Sequence, residues 1–364
     1  MRTMQLVADL EALCAALRRI DGFADVEPAG LQPMRVKGLV HEHIRIAGRG
    51  LVLRVPRLSQ FGLAPEANLD YQRACFERAE ASGATPRIHG VLPVEDSIPY
   101  GALIVEEIIG RAPRLPDDMA ALADGLAALH MVPLPAEQAR APLMMHADAV
   151  SGTLRFIETQ AVYLPEAGLA PEAARQIDDE LAWARRFAAA SRGQNQPITL
   201  VGTDTHPGNF VVEPAGRAVF VDLEKSLYGS PAVDLAHASV YTSTMWDPEI
   251  AVVLDPASVE AFYSRYLACV PAPLAEALRP WLAPLRRLTW LRTTTWCAKW
   301  RIEAAKAPAT TGSTRERSTW SAERHDAGLI AGVRARIDDY FDPDTIARIR
   351  AEWTGPDRLS FDRG

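Results

Sequence analysis

The sequence predicts an α+β chain in two parts, a small β-rich unit over residues 1–107 and a larger, mostly helical unit over residues 108–364. Between about Gln32 and Pro56 apolar and polar residues alternate, the period of a strand with one buried face. A nearly unbroken apolar run over residues 102–109 fits a strand covered on both sides. From Asp117 onward the apolar residues instead recur at helical spacing, and strand patterns nearly vanish.

At the N-terminus, Leu6, Leu10, Leu13, Leu17 and Ile20 make one helical stripe. Asp9, Glu11 and Arg18 interrupt it, so it lacks the continuous apolar core of a secretory leader. Ile44 and Ile46 interleave with His43 and Arg45, while Leu51, Leu53 and Val55 interleave with Val52 and Arg54. Gly48 and Gly50 supply the turn, giving a β-hairpin after a glycine-containing segment, residues 30–38. A helix is expected over residues 66–81 and strands over 86–91 and 102–109, the last ended by Gly110. In the larger unit Met119, Leu122, Leu126 and Leu129 form one helical stripe, and Val259, Phe262, Tyr263, Tyr266 and Val270 another. Residues 199–222 are the exception: 210–212 and 218–221 flank Pro214-Ala215-Gly216 as a short hairpin. The Thr-, Ser-, Gly- and Arg-rich stretch 307–319 reads as a surface connector.

Composition narrows the function. A net charge of −7 does not suit a protein built to wrap nucleic acid, and 48% hydrophobic residues exclude wholesale disorder. Charged residues interrupt every Ala/Leu-rich run well before the roughly 20 apolar residues a bilayer span needs, so no membrane partner is expected. Cys14, Cys75, Cys269 and Cys297 are isolated, with neither zinc-site spacing nor enough bridges to staple the chain. A reducing, cytoplasmic compartment is the expectation.

The most informative stretch runs Val201-Gly202-Thr203-Asp204-Thr205-His206-Pro207-Gly208-Asn209, followed by Val221-Asp222-Leu223-Glu224. Pro207 and Gly208 do not belong inside a helix or central strand, so Asp204 and Asn209 project from a loop and Asp222 ends the next strand. Such a set serves phosphoryl transfer from a nucleotide. One carboxylate orients or accepts the proton of an attacking hydroxyl, while an amide oxygen and a second carboxylate are hard ligands for magnesium. His206 reads as a loop-packing residue, since no third transition-metal ligand stands at suitable spacing to join it and Asp204.

This stretch resembles the aminoglycoside phosphotransferase and choline kinase-like family, a branch of the protein-kinase-like fold, whose loop reads roughly His-Gly-Asp-x-His-Pro-x-Asn and then Ile/Val-Asp-x-Glu. Gly229-Ser230-Pro231-Ala232-Val233-Asp234-Leu235-Ala236 looks like the family's Gly-Asp-Pro-x-x-Asp-Leu-Ala segment. Leu126-Ala127-Ala128-Leu129-His130 resembles its Leu-Ala-x-Leu-His helix end. The resemblance implies a two-lobed kinase-like fold in which ATP with Mg2+ phosphorylates a hydroxyl of a small metabolite. It makes Asp204 the catalytic base position, Asn209 and Asp222 the metal ligands, and Asp234 a structural carboxylate that braces the loop.

In the smaller, nucleotide-binding lobe the resemblance puts Arg54 where a phosphate-binding Lys usually stands. Its pairing carboxylate belongs on the following helix, with Asp70 the best match and Glu66 and Glu77 as alternatives. Arg35, Lys37 and Gly38 occupy the loop that covers phosphates. Glu106 and Ile108 fall in the connector that meets the adenine through backbone groups. Three departures stand out: Gly202 replaces the loop's His, Thr203 its Gly, and Arg54 the Lys. They motivate an alternative, a nucleotide-binding protein with weak or no transfer activity.

The acceptor stays open at this level. Trp290, Trp296 and Trp300 suit a cage for a quaternary ammonium, whereas Arg287, Arg292 and Lys299 suit an acidic or phosphorylated acceptor. A third reading packs the Trp residues in the core and leaves the Arg residues solvated. Asp247, Asp255 and Glu260 form no concentrated acidic run for a polycationic aminoglycoside, so a housekeeping small-molecule kinase is the default. The short interval between Asp222 and Asp234 leaves no room for a long peptide-docking loop.

Overall fold

The computed structural model describes residues 9–34, 40–306, 327–356 and 358–361. Arg35, Lys37 and Gly38, with the stretch 307–319, lie outside the described residues.

The chain opens with α1 (Leu10–Leu17), started by Asp9, whose side chain accepts from the Glu11 and Ala12 amides at 2.9 and 3.2 Å. Then come β1 (Leu31–Pro33), β2 (His41–Ile46), β3 (Leu51–Pro56), α2 (Pro65–Ala79), β4 (Ile88–Leu92) and β5 (Ala102–Glu106). The five strands form one antiparallel sheet in the order β1-β2-β3-β5-β4, with the hairpin register set by pairs such as Ile44↔Leu53.

Both faces of this sheet are covered, which the alternating pattern alone did not reveal. Ile44, Leu53 and Ile104 pack with Leu13 and Leu17 of α1. Val52, Leu103 and Val105 join the main core with Phe76 of α2. Because side chains alternate along a strand, Arg54 shares the face of Val52 and points toward α2 and the helical part.

The larger part contains α3 (Met119–His130), α4 (Ala149–Ala161), α5 (Pro171–Ala190), β6 (Thr199–Val201), β7 (Phe210–Val212), β8 (Ala218–Phe220) and β9 (Leu227–Gly229). It continues with α6 (Pro231–Ser239), α7 (Tyr241–Thr244), α8 (Pro256–Cys269), α9 (Ala272–Lys306), α10 (Ala327–Tyr340) and α11 (Pro343–Thr354). Both helical stripes read from the sequence are buried, and the expected hairpin is present as β7 and β8. A second ladder, β6 with β9, brackets the loops that carry Asp204, Asn209 and Asp222. Among the described residues no helix is long and apolar enough to cross a membrane.

The long α9 packs against α4, α5, α6 and α8, so little of its circumference meets water. This corrects the reading of its cations as solvated. Arg286 is buried and donates to Glu352 and Ser239, each at 2.7 Å, while Arg287 pairs with Glu180 and stacks on Trp183 at 3.8 Å. A guanidinium carried into the interior keeps its charge only with such partners. Trp290 and Trp300 are core residues, as that reading expected.

Candidate phosphotransfer site

The loop after β6 is held from beneath. Asp234, fully buried near the start of α6, accepts from the Gly202 amide at 2.6 Å, the Thr203 amide at 2.8 Å and His130 Nε2 at 3.0 Å. His130 Nδ1 contacts the Tyr266 hydroxyl at 2.8 Å, so the imidazole has a partner on each side. With Nε2 carrying the proton, the tyrosine donates to Nδ1.

This brace explains the departure at Gly202. A Cβ there would lie 2.6 Å from the Phe220 ring and 2.9 Å from Thr205, so no larger residue fits the path the loop takes. The order of the loop comes through backbone amides on Asp234, not through a side chain at position 202. Gly202→Ala is expected to destabilise the protein by about 1–3 kcal/mol through overpacking, read as a lower denaturant midpoint with an unchanged slope. Thr203 takes a left-handed φ of 60°, an uncommon state for a β-branched residue. Its amide on Asp234 and its hydroxyl, donating to the Lys225 carbonyl at 2.9 Å, hold it there.

Asp204 follows this turn with a side chain 23% exposed. Its Oδ2 meets Lys225 Nζ at 2.6 Å, and Oδ1 lies 3.8 Å from His237 Nδ1. Burial by itself would raise the carboxyl pKa, but the Lys225 ammonium outweighs it and holds Asp204 well below the ordinary carboxylate range. Burial lowers His237 to about 3, so its imidazole is neutral at pH 7. Lys225 is the residue of this loop cluster that sequence reading missed. The available signal was chemical: Asp204, Asp222 and Glu224 crowd one region, and a cation directly after Glu224 is the nearest means of neutralising them.

Asn209 turns its amide nitrogen onto the Asp204 carbonyl at 2.8 Å, which leaves its side-chain oxygen for another partner. Its own carbonyl accepts from Val221 at 2.9 Å, tying it to the strand that delivers Asp222. Asp204, Asn209 and Asp222 are thus brought together.

Arg54 is buried and reaches across from β3 to donate to Asp222 Oδ1 and to the Val221 carbonyl at 3.4 Å. Its nitrogens also lie 3.2 Å from His41 Nδ1 and 3.3 Å from His43 Nε2, and its Nε has no hydrogen-bond partner. Burial, then the Arg54 charge, lowers His43 to about 4, so it faces Arg54 as a neutral acceptor. His41 Nε2 donates to Gln72 Oε1 at 3.0 Å, and a neutral ring with its proton there leaves Nδ1 to accept from Arg54.

The pairing expected between Arg54 and Asp70 is corrected. Asp70 lies on the solvent face of α2 beside Arg73 at 3.5 Å, Glu77 pairs with Arg73 at 2.9 Å, and Glu66 is exposed. Residues two apart on a helix lie about 200° apart around its axis, and it is Gln72 whose phase faces the sheet. Arg54 takes its carboxylate from Asp222 instead.

Glu224 is buried, and burial together with the Asp222 charge pushes its pKa up to about 8. Its Oε2 lies 3.4 Å from His41 Nδ1 without a hydrogen bond. His41, Asp222 and Glu224 offer atoms within 4.8 Å of one another, and the two acidic side chains supply hard oxygens that fit a divalent cation.

At the lobe connector the Glu106 and Glu107 amides are committed to the Arg87 and Gly50 carbonyls at 2.8 Å each. Among the described residues the Ile108 amide has no such partner and is free to donate. Glu106 spends its side chain on Arg87 at 3.2 Å. A Cβ on Gly110 would lie 2.4 Å from the Val212 carbonyl, so glycine lets the connector cross β7 closely.

Solved structures with a similar fold include several kinases and phosphotransferases. A choline/ethanolamine kinase family protein from Mesorhizobium loti superposes with a TM-score of 0.57 at 17% identity, covering 95% of each chain. Ethanolamine kinase from Plasmodium vivax gives 0.57 at 14% identity, covering 95% of this chain and 94% of its own. The macrolide 2'-phosphotransferase of Brachybacterium faecium gives 0.51 at 18%, covering 92% and 98%. The chain therefore has the two-lobed kinase-like fold, with a small β-sheet part and a larger helical part. No curated protein sequence matches it. The sequence profile of the phosphotransferase enzyme family matches residues 43–281, and on that match, with the Asp204, Asn209 and Asp222 loops in place, the chain belongs to the phosphotransferase (APH) family.

Proposed function

We propose that this protein transfers the γ-phosphoryl group of ATP to a hydroxyl of a small molecule. The observation that supports this best is the convergence of Asp204, Asn209 and Asp222 opposite Arg54. The acceptor oxygen forms a bond to the γ-phosphorus while the bond from that phosphorus to the β–γ bridging oxygen breaks, and ADP leaves. Asp204 orients the hydroxyl, and its proton passes to the carboxylate or onward to water. A carboxylate whose pKa is held low is a weak base, so orientation is its larger contribution.

Asn209 and Asp222, backed by Glu224, are the residues that would hold magnesium, which when bound neutralises charge on the phosphates. Arg54 meets phosphate oxygens in place of a Lys, as a planar fork with further donors. Ile108 offers its amide to the adenine edge. Arg54→Gln is expected to weaken MgATP binding roughly ten- to hundredfold, the loss of a charge-assisted hydrogen bond, by titration calorimetry.

A second reading has one observation in its favour: Arg54 itself occupies the Asp222 carboxylate. A protein that binds nucleotide but transfers nothing would be stabilised by MgATP yet release no ADP. The proposed enzyme gives both thermal stabilisation by MgATP and ADP release that depends on an acceptor. Absence of both across sugars, amino alcohols and hydroxy acids would remove either reading.

A further inference from the structure

The α9 side of the Asp204 loop carries a cation. Arg292, one turn before Trp296 on α9, is partly buried and donates to the Thr203 carbonyl at 3.4 Å, next to the catalytic loop's Asp204. Among the described residues it has no carboxylate partner. The other two α9 cations given a role from the sequence are neutralised, Arg287 by Glu180 and Lys299 by Glu303 at 3.8 Å, and the neighbouring Arg286 pairs with Glu352. The carboxylates nearest Arg292 are already engaged, Asp204 by Lys225 and Asp234 by two amides and His130.

A second element adds to this. Thr295 donates to Gln160 at 3.1 Å, tying α9 to α4, which carries the exposed Arg155, also without a carboxylate partner among the described residues. His146, just before α4, is held below its ordinary pKa by burial and by the charges of both Arg155 and Arg292, so the two guanidinia act on one place. Asp247 packs beside Gly208 and accepts from the Glu249 amide at 3.0 Å.

The aromatic cage is already filled. Trp246 and Trp296 meet edge to face at 5.6 Å, and the Arg336 guanidinium lies 4.8 Å from the centre of the Trp246 ring. Among the described residues no carboxylate pairs with Arg336, and its buried Nε has no hydrogen-bond partner. A quaternary ammonium entering there would meet a cation where it needs an open ring face.

The geometry points to an acceptor that carries an anionic group, a carboxylate or a phosphate monoester, beside the hydroxyl to be phosphorylated, with Arg292 as the residue that grips it. Partly buried and unpaired, Arg292 presents a planar fork that matches two anionic oxygens. Lys225 meanwhile keeps Asp204 from repelling them. This rests on the phosphotransferase reading and adds the acceptor class to it.

The test is an ADP-release screen of the full chain with MgATP against three matched sets: hydroxy acids and phosphorylated alcohols, neutral sugars and polyols, and amino alcohols including choline. Turnover is expected in the anionic set, and comparison of its carboxylates with its phosphates distinguishes the two sources of negative charge. Arg292→Gln is expected to raise the KM of the active acceptor about ten- to hundredfold, with partial recovery in Arg292→Lys. Turnover confined to amino alcohols or neutral sugars overturns the inference, as does an Arg292→Gln variant that folds with an unchanged acceptor KM. A loss wholly in kcat overturns it too, by placing Arg292 on the transferred phosphoryl group. If wild type is neither stabilised by MgATP nor active with any set, the phosphotransferase reading fails and this inference with it; stabilisation with the wrong acceptor set overturns only the inference.

Discussion

Asp204→Asn is expected to lower acceptor-dependent ADP release by about 10²–10⁴-fold while MgATP still stabilises the protein against heat. The substitution keeps the shape of the side chain and removes its charge. That charge has two duties here. It receives Lys225 at 2.6 Å, and in the proposed reaction it turns the attacking hydroxyl toward phosphorus. The nucleotide contacts proposed for Arg54, Asp222 and Ile108 do not pass through Asp204, so binding and turnover should separate in this variant. Equal loss of both would mean that Asp204 holds the site together and does not act on the acceptor. Retained turnover would remove it from the chemistry.

The second large effect concerns stability. Asp234→Ala is expected to cost about 3–5 kcal/mol, because one buried carboxylate answers two backbone amides and His130. Removing it strands those donors in the interior and frees Thr203 from the left-handed turn that aims Asp204. Chemical denaturation should show a lower midpoint, and ADP release should fall even under conditions where the variant is folded. Asp234→Asn should cost less, since an amide oxygen keeps one of the contacts. A loss below about 1 kcal/mol for the alanine variant would show that the loop is held by other means.

The contrast between Asp234 and Asp70 shows what kind of residue a sequence discloses. Asp204, Asn209, Asp222 and Asp234 lie in short segments whose Pro, Gly and strand patterns fix the backbone locally, so their convergence was legible. Asp70 depended on helical phase and on which face of α2 meets the sheet, and the residue facing inward is Gln72. The cations of α9 posed the same difficulty. Arg286, Arg287 and Arg292 look alike in sequence, and only packing shows that carboxylates from α5 and α11 claim the first two and leave the third. Lys225 was overlooked because its meaning lies in the charge it neutralises across the loop. The two-layer burial of the sheet likewise depended on α1 and α2 closing opposite faces.

The most direct measurement is anomalous scattering from manganese in crystals grown with a non-hydrolysable ATP analogue. The expected result is a peak coordinated by the Asn209 side-chain oxygen and the Asp222 carboxylate, with Arg54 turned from Asp222 to the analogue's phosphates and Asp204 open toward the acceptor side. A manganese peak and phosphates located elsewhere, with Arg54 still on Asp222, would contradict the phosphotransfer centre.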